Sequence, residues 1–149
     1  MKKIKLKDIF TEPEILSQAI LEILYVIITI NYLIHLNNFN KLMFANGLTK
    51  ELEESSSVIV ASKILNEGGA SYLTQAVIWA AVGLALFFVF YKIGKTSLYP
   101  AIGIIIKIFH MIVFLLFLVI LWQLIDNPIV HAFLIVCGVV SVGLASLSK

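Results

Sequence analysis

Arginine is absent from this chain of 149 residues, and all 11 of its basic residues are lysines. Bidentate recognition of phosphate or carboxylate by a guanidinium is therefore excluded. Cysteine occurs once, as Cys137, so an internal disulfide and a CxxC redox or zinc pair are excluded as well. Charge is scarce: 13% of residues are Asp, Glu, Lys or Arg, about half the share of a soluble domain. The net charge of +2 gives no reason to expect a nucleic-acid partner. A phosphate-cradling glycine loop, a nucleophile elbow and an HExxH helix are all missing. None of the common enzyme classes is expected, and neither a metal nor a cofactor is.

What fills the chain instead is apolar sequence. Hydrophobic residues make up 60% of it, and the mean hydropathy is +1.01. The expected fold is all-α: a single integral membrane domain with four transmembrane helices, both termini on the inner side, and one long extracytoplasmic loop carrying a short surface helix. Residues 1–11 alternate Lys2, Lys3, Lys5 and Lys7 with Ile4, Leu6, Ile9 and Phe10, a basic interfacial segment suited to an anionic leaflet. Thr11, Pro13 and Glu14 form a capping-box pattern with proline in the first turn. This opens TM1 over 12–36, and Asn37, Asn38 and Asn40 are read as its end. The loop spans 37–73, with helical propensity over 49–66 and a Gly68-Gly69 stop. TM2 spans 74–91, TM3 starts at Pro100 and spans 100–123, and TM4 spans 128–147 behind Asp126-Asn127-Pro128. With the N-terminus inside, seven lysines lie in inner segments against three in the outer loop, as the positive-inside rule requires.

Chemistry concentrates in TM1. Gln18, Glu22, Tyr25, Thr29 and Tyr32 recur at steps of four and three, a continuous polar stripe on an otherwise apolar helix. Such a stripe should face other helices, water or a partner rather than lipid. TM3 carries Lys107 and His110 on one face. Glu22 and Lys107 each lie seven residues beyond the inner edge of their spans, about 10 Å deep at ~1.5 Å per residue. Their matched depth predicts an intramembrane pair, Glu22 with Lys107, and His110 one turn deeper. Intramembrane ionisable residues also mark ion or proton pathways. Lys107 is shallow enough to extend toward inner-leaflet phosphates. A second polar cluster is expected near the outer face, with Asn31 and His35 on TM1, Asp126 in the turn and His131 on TM4. No spacing fixes these residues together, and a metal site is not expected among them.

Small residues make the remaining pattern. Ala76, Ala80 and Gly83 line one side of TM2, and Cys137, Ser141 and Ala145 form a ridge on TM4. Small residues let helices approach closely in lipid. Two such ridges and a polar stripe exceed what one small bundle needs, so a homo-oligomer is expected. The resulting functional expectation is a homo-oligomeric channel or ion-coupled transport protein in a prokaryotic cytoplasmic membrane. The alternative is a non-conducting accessory or scaffold subunit of a larger membrane complex, immunity- or defence-type proteins included, with other membrane subunits as partners.

Overall fold

The computed structural model describes residues 12–47, 65–125, 135 and 137–144. The described residues are helical, with no strand among them. Helix α1 covers Pro13–Ala45. A short turn, Leu65–Gly69, kinked at Gly68, leads into α2, Ala70–Gly94. Helix α3 covers Pro100–Leu124, and residues 137–144 form a further helical stretch, α4. The first three are long and apolar enough to cross a membrane, as expected of a multi-pass membrane protein. The basic segment, Thr11, nearly all of the expected surface helix, Asp126, His131 and Ala145 lie outside the described residues.

Each of α1, α2 and α3 packs against the other two. Hydrogen bonds give their directions. Gln18, Tyr25 and Tyr32 of α1 bond to Phe90, Trp79 and Tyr72 of α2, so these helices are antiparallel. Glu22 meets His110 and Asn40 meets Leu124, so α1 and α3 are parallel. On α4, Gly138 lies beside Leu115 and Leu118, and Cys137 joins the core.

The packing has one sequence period. Buried positions on α1 are Ile15, Gln18, Glu22, Tyr25, Thr29, Tyr32, Leu36 and Met43. On α2 they are Ala76, Ala80, Gly83, Phe87 and Phe90. On α3 the same steps of four and three run through Gly103, Lys107, His110, Phe114, Phe117 and Leu121. A repeat averaging 3.5 residues is the knobs-into-holes spacing of left-handed bundles. Polarity is inverted relative to a soluble bundle. The buried face of α1 holds Gln18, Glu22, Tyr25, Thr29 and Tyr32, while Ile23, Ile27, Ile30 and Ile34 are each more than half exposed. Apolar side chains gain nothing by leaving lipid, so the polar groups are the ones that turn inward.

Several boundaries differ from the sequence reading; α2, for one, begins at Ala70 and ends at Gly94 rather than spanning 74–91. Helix α1 does not end at the asparagines but continues to Ala45, making 33 residues, or about 50 Å against a ~30 Å hydrocarbon core. Asn40 Nδ2 donates to the Leu124 carbonyl at 2.7 Å, Phe39 packs on Tyr72 with ring centroids 4.7 Å apart, and Met43 is buried. Tertiary contacts thus hold a stretch of weak helix formers helical. The chain breaks only at Gly47, whose φ of 75° is left-handed. At the other end the N-cap residue is Glu12, which makes no side-chain cap. Its carboxylate accepts instead from Ser97 Oγ, at 3.0 and 3.1 Å, and from the Leu98 N–H. This ties the α2–α3 turn to the start of α1. Gly68, with a φ of 113°, breaks the chain just before α2.

Candidate functional site

The polar stripe lies inside its own bundle, and most of its groups are answered by carbonyls of α2. Gln18 Nε2 donates to the Phe90 carbonyl at 3.0 Å, Tyr25 Oη to that of Trp79 at 3.3 Å, and Tyr32 Oη to that of Tyr72 at 2.8 Å. Thr29 bonds back within its own helix, to the Tyr25 carbonyl at 2.7 Å. The carbonyls already belong to helical ladders, but each retains a second lone pair. A seam of this kind satisfies the donors of Gln18, Tyr25 and Tyr32 from within the bundle.

Glu22 makes a different contact. Its Oε2 lies 2.6 Å from His110 Nδ1, and both side chains are buried. His110 Nε2 lies 3.0 Å from the Gly83 carbonyl. A carbonyl only accepts, so Nε2 carries a hydrogen and donates it. That fixes the tautomer. Nδ1 and Oε2 then share one proton, as imidazolium with carboxylate or as imidazole with carboxylic acid. In either form the pair is neutral overall, which suits a membrane interior. Loss of the shared proton would set two lone pairs against each other, 2.6 Å apart. Glu22 Oε1 is buried and has no hydrogen-bond partner among the described residues, and the same holds for Gln18 Oε1 one turn away.

Aromatic rings enclose the imidazole. Phe87, Phe90 and Tyr25 stand edge-on to it at 4.7, 5.2 and 5.4 Å between centroids, and Phe114 stacks at 6.2 Å. Gly83 allows this closeness. A Cβ there would run into the Phe114 ring and the Tyr25 hydroxyl. The three phenylalanines were not singled out from the sequence. Continuing the four-and-three spacing from Gly83 reaches Phe87 and Phe90, and from His110 it reaches Phe114.

The expected Glu22–Lys107 pair is not formed. Lys107 is buried on the same face of α3, but its Nζ lies over the Tyr91 ring, 5.5 Å from the centroid, and Lys95 Nζ lies 4.5 Å from the same centroid. The cause is reach. A four-carbon stem carries its ammonium toward the end of the bundle, whereas the short, planar imidazole fits between Gly83 and the phenyl rings. The small-residue ridges are also placed differently from the expectation that led to a homo-oligomer. Ala76, Ala80, Gly83, Cys137 and Ser141 are buried within one chain, and so offer no surface to a second copy.

The outer cluster is only partly described. Asn31 and His35 are exposed and, with Ser71 and Gln75 of α2, border a cavity of about 440 Å³ between the two helices. Among the described residues no group of three metal-ligating side chains comes together. Compared with protein families, with curated proteins and with solved structures, the chain matches none.

Proposed function

We propose that this chain is a small multi-pass protein of a prokaryotic cytoplasmic membrane, both termini inside, that couples ion transport to the proton held between Glu22 and His110. The observation that carries the reading is the buried 2.6 Å contact with its fixed tautomer. One proton is held between two named atoms, and the free Glu22 Oε1 offers a place for a second, which would turn a neutral pair into a cation. A site with two protonation states of different charge, buried among three helices, is the element a proton-coupled carrier needs. An open pore along the stripe is disfavoured, because carbonyls and rings close the seam. The test is proton flux into liposomes containing the purified protein and an internal pH dye. Wild-type protein is expected to carry protons down an imposed gradient, and Glu22→Gln to abolish flux while the extracted complex keeps its mass. Normal flux in Glu22→Gln refutes the reading.

The closed seam itself favours a second reading, a non-conducting accessory or scaffold subunit of a larger membrane complex, immunity- or defence-type assemblies included. On that reading the polar groups specify helix register, wild-type liposomes show no flux, and other membrane subunits co-purify. A homo-oligomer belongs to the first reading, and native mass spectrometry of the extracted complex checks it.

A further inference from the structure

We propose that the Lys107 end of the bundle holds one anionic phospholipid, its phosphate between Lys95 and Lys107 and one acyl chain in the groove beside Tyr91. Three observations converge there. Lys107 is 5% exposed, yet among the described residues no carboxylate forms an ion pair with it, since Glu22 is engaged by His110. A lysine whose side chain is folded into a membrane protein needs, for its ammonium, an anion or a route to the headgroup layer. Second, two ammonium groups converge on one ring: Lys95 and Lys107 both lie within cation–π range of Tyr91. A phosphate reached by both would accept a charge-assisted hydrogen bond from each. Third, the ring that carries the cations also walls an apolar groove of about 200 Å³ lined by Phe87, Phe88, Tyr91 and Leu144. A headgroup at the lysines thus has its tail directed along α2 and α4. Phosphate chemistry alone would suit a free ion equally well. The adjoining groove selects a lipid.

The test is a native mass spectrometry titration of the whole protein in detergent with dioleoylphosphatidylglycerol, dioleoylphosphatidylcholine and inorganic phosphate. One phosphatidylglycerol is expected to bind at least about tenfold more tightly than phosphatidylcholine. Lys95→Gln and Lys107→Gln are each expected to weaken it about fivefold, and Lys92→Gln, an exposed lysine one residue beyond the ring, to leave it unchanged. Phe88→Ala should weaken the dioleoyl lipid but not its dihexanoyl analogue. If Lys107→Gln does not fold, the exposed Lys95 carries the same reading. Equal losses in Lys92→Gln and Lys95→Gln would reduce the site to diffuse surface charge and overturn the proposal. So would displacement of the lipid by millimolar phosphate, or equal affinity for dihexanoyl and dioleoyl chains.

Discussion

Replacing His110 with Phe tests whether the Glu22–His110 contact is a unit. The phenyl ring suits the aromatic surroundings of the imidazole, so no large cavity opens. What changes is the partner of Glu22. Its Oε1 already has none, and the substitution leaves the whole buried carboxyl without one. An unsatisfied buried group costs about 1–3 kcal/mol, more when charged, so His110→Phe should destabilise the protein by about 3 kcal/mol. Glu22→Gln is expected to cost only about 1 kcal/mol. Its amide N–H still donates to Nδ1 of the fixed tautomer, and what is lost is the charge assistance. The double variant Glu22→Leu with His110→Phe removes both polar partners and should fall within about 1 kcal/mol of wild type. Unfolding free energies in bicelles, measured by steric trapping, give all three values. The reasoning fails if His110→Phe proves as mild as Glu22→Gln, or if the double variant is worse than His110→Phe alone.

Other contacts make smaller, local predictions. Gly83→Ala should cost about 1–3 kcal/mol by overpacking against Phe114 and Tyr25, seen as a lowered Tm in detergent. Tyr32→Phe removes one bond to the Tyr72 carbonyl and should cost about 0.6 kcal/mol, the average for such bonds in membrane helices. Glu12→Gln should loosen the 95–99 turn, because the strong acceptor of Ser97 Oγ and the Leu98 N–H is lost. Faster amide exchange at Leu98, with unchanged exchange in the middle of α3, is the expected pattern. Asn40→Leu should release the Leu124 carbonyl and raise exchange in the last turns of α1, the segment that propensity alone would not keep helical.

The inward face of the bundle was legible where polar or small residues mark it. Gln18, Glu22, Tyr25, Thr29 and Tyr32 stand out against an isoleucine-rich helix, and all five are buried. Ala76, Ala80 and Gly83 stand out in the same way. The remaining seam positions are phenylalanines and leucines among many others, and on composition Phe87 cannot be told from Phe88. Only the period separates them: Phe87 continues the spacing from Gly83 and is buried, while Phe88 is more than half exposed. The extension of α1 was hidden for another reason. Asn37, Asn38 and Asn40 carry a local stop signal, and the contacts that override it come from Tyr72 and Leu124, 33 and 84 residues along the chain from their partners Phe39 and Asn40.

Depth alone gave the wrong partner for Glu22. Glu22 and Lys107 share a Cα depth counted from the span edges, but a lysine ammonium sits up to about 6 Å from its own Cα and moves toward water when it can. Histidine has no such freedom. His110 is wedged by four rings and held at both nitrogens, so it meets the carboxylate where the backbone puts it. The consequence extends to charge. A Glu22–Lys107 pair would have neutralised two formal charges and left His110 without a charged partner. The observed arrangement neutralises Glu22 with a shared proton and leaves the positive charge of Lys107 at the end of the bundle, over Tyr91. The proton and the cation are therefore handled at separate places on α3, one turn apart. A variant at Lys107 should change lipid binding without changing proton flux, and a variant at Glu22 should do the reverse. If both properties fall together in Lys107→Gln while its fold is intact, the two sites are one, and the separation argued from these contacts is wrong.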